Sequence, residues 1–132
     1  MADLAAFLQE TGQREFRYGE TDCCLWVADW LVRNGHSDPA HDLRGTYGSA
    51  FGCGRVLKAR GGLLAVFSDC MARTHCARTY EPKPGDVGVV EFGTTEGLGM
   101  IGAICTGPRW AMLSVRGLIS SPASVLDAWS IG

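Results

Sequence analysis

The sequence predicts an α+β fold, with N-terminal helices packed on a C-terminal antiparallel sheet. Three observations predict it. Apolar residues recur at helical spacing through the first half of the chain. The run Glu81-Pro82-Lys83-Pro84-Gly85 then forbids a helix. Beyond it come short runs rich in β-branched residues, joined by tight glycine-containing turns. Such connections suit antiparallel pairing, and helices segregated to one side of the sheet define the class.

Residues 2–11 carry Leu4, Phe7 and Leu8 at helical spacing, with Gly12 as a stop. Thr21 or Asp22 can cap the next helix, which runs to Arg33. Its stripes Cys23-Trp26-Trp30 and Cys24-Val27-Ala28-Leu31 cover adjoining faces, so this helix is central. Asn34-Gly35 closes it, and a loop or short turn containing Pro39 follows over residues 36–42. Two further helices are predicted over 48–60 (Val56, Leu57, Ala59) and 62–73 (Leu63, Leu64, Val66, Phe67, Met71), hinged at Gly61-Gly62. Strands follow at 87–92, 100–106, 110–115 and 118–120, with a glycine-rich loop at 93–99. Residues 123–130 read as a short closing helix. The expected organisation is one domain over 1–132, divided into a helical half 1–78, a strand half 84–120 and that closing helix, with no linker or repeat.

Composition narrows function by exclusion. A hydrophobic share of 46% and a charged share of 20% are ordinary for a globular domain. Net charge is −2 without a basic run, so neither nucleic acid nor an acidic membrane surface is an expected partner. No apolar stretch reaches the roughly 18 residues of a membrane span. The start Met1-Ala2-Asp3-Leu4 lacks a basic n-region, so a cytoplasmic site of synthesis is expected. The six cysteines are then expected to be reduced and mostly buried. No C-x-x-C pair is present. Cys70 and Cys76, with His75 beside the second, are the weak hint of zinc or an iron–sulfur cluster, and no metal or cofactor is expected.

The most informative stretch is Phe16-Arg17-Tyr18-Gly19-Glu20-Thr21-Asp22-Cys23-Cys24. It delivers Cys23 to the first turn of an apolar helix, where the helix dipole favours a thiolate. That is a place for a cysteine nucleophile. A small, buried core cysteine fits the same position.

The run Tyr18-Gly19-x-x-Asp22-Cys23-Cys24 resembles the nucleophile motif of the NlpC-type, papain-like cell-wall peptidases. Pro84-Gly85-Asp86 before an apolar strand is similar to the turn that opens the sheet of that family. Ile101-Gly102-Ala103-Ile104-Cys105-Thr106-Gly107 resembles its next strand. The matches keep the family's order over residues 16–107. The Phe-x-Tyr-Gly-x-x-Asp-Cys-Cys run, residues 43–50 and the ending Val125-Leu126-x-Ala128-Trp129 are similar to small proteins of this superfamily encoded among tail genes of phages, prophages and gene-transfer agents. The resemblance implies a papain-like fold, a place at the tail tip beside the hub, other tail proteins as partners, and synthesis in the bacterial host cytoplasm followed by residence in the virion tail.

One position departs from the family pattern. Where the family has its histidine, at the opening of the second strand, this chain has Met100. Methionine can neither accept nor donate the proton that a thiol nucleophile exchanges. His36 and His41 follow the Cys23 helix at its far end, and His75 precedes the proline-glycine-aspartate turn. Three readings therefore stand. The chain is an inactive papain-like domain kept as a tail assembly part; or a peptidoglycan endopeptidase or amidase attacking through Cys23; or a metal or cluster module. The four tryptophans, Trp26, Trp30, Trp110 and Trp129, suit core or interface roles. Phe51, Val56 and Leu57, outside the family motifs, are the candidate contact surface.

Overall fold

A computed structural model describes residues 1–94 and 97–132. Among the described residues four helices precede a single sheet: α1 (Leu4–Thr11), α2 (Cys23–Arg33), α3 (Ala50–Ala59) and α4 (Leu63–Ala72). The strands are β1 (Ala77–Arg78), β2 (Val87–Thr94), β3 (Gly97–Cys105), β4 (Trp110–Ser114), β5 (Gly117–Ser121) and β6 (Ser124–Ser130). They lie in the order β1-β6-β2-β3-β4-β5, every pair antiparallel. The α+β class and its division into a helical and a strand half are as the hydrophobic pattern predicts.

Local chemistry sets the helix boundaries. Asp3, Asp22 and Ser49 each turn a side-chain oxygen onto the free amides of the helix that follows. Gly35, at φ 91°, ends α2 with its amide bonded to the Val32 carbonyl. Gly62, at φ 101°, separates α3 from α4 as the hinge reading expects.

The central position of α2 follows from its sequence. Leu25, Trp26, Val27, Trp30 and Leu31 are all buried. Trp30 donates its indole N–H to the Gly85 carbonyl at 2.8 Å, which pins the helix to the start of the sheet. Trp26 donates to Thr11 Oγ1 at 2.8 Å, and that hydroxyl donates onward to the Phe7 carbonyl at 2.6 Å. Buried indoles need such partners, since a buried unpaired donor costs about 1–3 kcal/mol. The main core joins α1, α2 and α4 to one sheet face through Val87, Val89, Ile104, Leu113 and Trp129. Val90, Ala103, Trp110 and Met112 form a second buried cluster on the opposite face. A third, with Leu25, Leu43 and Val66, lies behind the helices. There Arg73 and Arg60 bracket Asp42, with N···O distances of 2.8 and 3.4 Å. The hydrogen bonds from Arg73 hold the Asp42 carboxyl at about 2. This clamp is therefore fully present above the ordinary carboxylate value of about 4 and is lost as pH falls through its folded value.

Three expectations are corrected. Residues 123–130 are not a closing helix. Ser124–Ser130 is strand β6, inserted between β1 and β2. The spacing of Val125 and Trp129 fits a helix, but the open edge of β2 supplies ladder partners from Val87 to Glu91, and pairing overrides local preference. The glycine-rich stretch 93–99 is not a long loop. β2 and β3 stay paired out to Thr94↔Gly97, because glycine leaves the ladder's amides intact, and residues 95–96 lie outside the described residues. The helical half ends before 78, since Ala77–Arg78 pairs with β6 as an edge strand. The strand half correspondingly runs past 120 to Ser130.

Gly102 on β3 faces α4. A Cβ there would lie 2.4 Å from Phe67 Cζ and 3.0 Å from Phe67 Cε1. Gly102→Ala is expected to destabilise the protein by about 1–3 kcal/mol, the usual cost of overpacking. Adding Phe67→Leu should restore part of the loss, as read by urea midpoints. A Gly102→Ala protein as stable as the parent would show that α4 does not press on this strand.

Candidate functional site at Cys23

Cys23 opens α2, and the side chain that places it there is Asp22. This N-cap carboxylate is 1% exposed and accepts four hydrogen bonds. Oδ1 takes the amides of Cys24 at 3.1 Å and Leu25 at 3.0 Å. Oδ2 takes the Gly19 amide at 2.8 Å and the Tyr47 hydroxyl at 2.7 Å. The Gly19-x-x-Asp22 spacing thus closes a tight turn. Gly19 sits at φ 83°, and a Cβ there would lie 2.0 Å from the Tyr47 carbonyl oxygen, so only glycine fits. The Gly19 carbonyl in turn accepts the Gly45 amide at 2.9 Å.

The half-buried Cys23 packs against both the helix-side and the opposite-face clusters. The thiols of Cys23 and Cys24 are coupled. A hydrogen bond from the Cys24 thiol draws the Cys23 thiol below its usual range, against the opposing effects of burial and Asp22. The backbone amides of Cys24 and Gly102 add to the lowering. Cys24 is pushed well up by the same hydrogen bond and by burial. Burial also raises Tyr18 and Cys53. Burial and the bond to Asp22 raise the Tyr47 phenol far beyond its usual range, so it stays a donor.

The arrangement favours a thiolate at Cys23 in the first turn of α2. A proton acceptor for catalysis is another matter. Among the described residues, no histidine hydrogen-bonds to Cys23. His36 lies past the C-terminal end of α2, with Nε2 at 3.2 Å from the Ile131 carbonyl and 3.8 Å from Cys76 Sγ. An 11-residue helix separates it from Cys23, about 16 Å at 1.5 Å per residue. His41 bonds the Asp38 carbonyl at 3.3 Å, and His75 is exposed between α4 and β1. Met100 lies within β3, 50% exposed and paired with Glu91, two residues along the strand from Gly102. Among the described residues, no group of three or more His, Cys, Asp or Glu side chains could hold a metal ion.

The Pro84-Gly85-Asp86 turn is a structural corner. Asp86, 4% exposed, accepts the amides of Lys83 at 2.8 Å and Ile131 at 3.3 Å. Of the candidate contact residues, Phe51 is 76% exposed. Val56 and Leu57 are half-buried on the inner side of α3, packed against the clusters beneath it. Tyr47 and Gly102 lie in stretches that carry the resemblance, but neither they nor Cys53 were placed beside Cys23 by sequence. Tyr47 sits in a loop with no periodic pattern, 25 residues from Asp22, so only the fold joins them.

Over residues 1–131 the chain matches the family described as "Domain of unknown function (DUF6950)", and it belongs to that family. Searches of curated proteins and of solved structures return no match.

The unequal thiols give a direct expectation. Iodoacetamide should modify Cys23 ahead of Cys24, with a pH midpoint below the free-thiol value of about 8.5. The rate at Cys23 should rise with pH through that midpoint and then level off. Peptide mapping that finds Cys24 labelled first, or a Cys23 midpoint above the free value, would contradict the assigned hydrogen-bond direction.

Proposed function

We propose that this chain is a non-hydrolytic protein of papain-like, NlpC-type architecture that serves as a structural or assembly part of a phage-type tail. Its partners are other tail proteins at the tip and hub, and its final location is the virion, after synthesis in the bacterial host cytoplasm. The reading rests on the ordered resemblance of residues 16–107 and on one observation. Cys23 occupies the nucleophile's place at the start of α2, while Met100 stands where the resembled family has its histidine. General acid–base help contributes about 10²–10⁴-fold to reactions of this kind, and the imidazolium also holds the thiolate. A helix terminus and a neighbouring thiol can favour the thiolate. They cannot deliver a proton to a leaving amine.

A second reading, an active peptidoglycan endopeptidase or amidase using Cys23, has a specific observation in its favour. The lowered Cys23 thiol, in the first turn of α2, is a feature of an activated nucleophile. The two readings separate in one experiment. Incubated with purified cell wall, the full chain should release no more new amino groups than its Cys23→Ser variant. A co-expressed tail hub should copurify equally with both, through an interface of at least about 1,000 Å². Amino-group release abolished by Cys23→Ser would establish the hydrolase reading. Failure of the hub to copurify with the unmodified chain would end the tail assignment.

A further inference from the structure

Helix α3 differs from the others in having no buried residue. Its outer face carries Phe51, Arg55 and Lys58, spaced as one helical stripe. The Arg55 guanidinium lies 5.9 Å from the centre of the exposed Phe51 ring. Among the described residues neither Arg55 nor Lys58 forms an ion pair, as is also true of Lys83, Arg109 and Arg116, whereas Arg14, Arg17, Arg33, Arg44, Arg60, Arg73 and Arg78 all do. A groove of about 670 Å³ runs along one flank of α3, with Tyr47 and Val56 among its walls. A cleft of about 450 Å³, lined by Phe51 and Gly54, runs along the other. Arg55 and Lys58 line both, and among the described residues no acidic side chain lines either. In a chain of net charge −2, this is a locally cationic ridge with an aromatic anchor.

We infer that the α3 ridge docks an acidic segment of a partner protein whose carboxylates meet Arg55 and Lys58 and whose apolar side chain covers Phe51. Charge complementarity selects the acidic partner, and an exposed aromatic beside an arginine is the usual composition of a contact hot spot. The inference deepens the proposed assembly role by giving the partner's chemistry, and it rests on that reading for the partner's identity alone.

The test uses the full chain and two labelled peptides, an all-glutamate 12-mer and a glutamate 12-mer with leucine at every third position. The leucine peptide should bind at least threefold tighter and shift the backbone amides of residues 50–59. Arg55→Glu with Lys58→Glu should weaken both peptides at least tenfold, and Phe51→Ala should remove the preference for leucine. Circular dichroism should be unchanged, because all three side chains are exposed. Amide shifts elsewhere, binding indifferent to the charge reversals, or tighter binding of a single-stranded DNA 12-mer would each overturn the inference. If the peptides behave as stated while the tail hub fails to copurify, the tail assignment fails and the docking surface stands. If the hub copurifies undiminished with the charge-reversed chain, the docking surface fails alone.

Discussion

The carboxylate of Asp22 is the constraint on which the Cys23 end of the molecule depends. It replaces the missing intrahelical partners of two α2 amides and ties two separate loops to the same point, through Gly19 and Tyr47. A helix terminus buried without such partners would leave amides unpaired at about 1–3 kcal/mol each. With the cap in place, α2 enters the core at a fixed angle and packs Cys23 against two of the buried clusters. At the other end of the same helix, Trp30 and the Gly85 carbonyl fix the sheet's first turn. The site and the fold are held by one helix pinned at both ends.

The site that results is chemically lopsided. The Cys24 thiol and the start of α2 favour a thiolate at Cys23, against burial and the nearby Asp22 carboxylate. Donors favour a negative sulfur but supply no base. Both oxygens of Asp22 are already engaged as acceptors. The histidines bond carbonyls at loops elsewhere or stand exposed. This distribution is the physical content of the proposal that the chain uses its surface rather than its thiol. Membership of a family of unknown function neither adds to that proposal nor competes with it.

Much of this was legible in the sequence, for reasons that can be given residue by residue. The double apolar stripe of α2 left it no place but the core, and Asp22 could be read as a cap because capping is local chemistry. The break at Pro82 and Pro84 marked the change from helix to strand. Features that depend on distant partners were not legible. β6 carries a helix-compatible spacing and becomes a strand only because β2 offers an edge. Gly93 and Gly97–Gly99 look like a loop and lie in a ladder. Val56 and Leu57 were grouped with Phe51 as surface, yet the helical turn places them opposite it, facing Leu25 and Leu43. Tyr47 reaches the cap from a loop 25 residues away, a pairing that no local periodicity shows.

The measurement that bears most directly on this account replaces the cap itself. Asp22→Ala removes both oxygens from Gly19, Cys24, Leu25 and Tyr47 without filling space elsewhere. Urea unfolding of the variant should show a loss of about 2–4 kcal/mol, above the typical ~1 kcal/mol of a simple N-cap, because two loops are released with the helix end. A loss below about 0.5 kcal/mol would show that α2 and Cys23 are positioned by something other than Asp22.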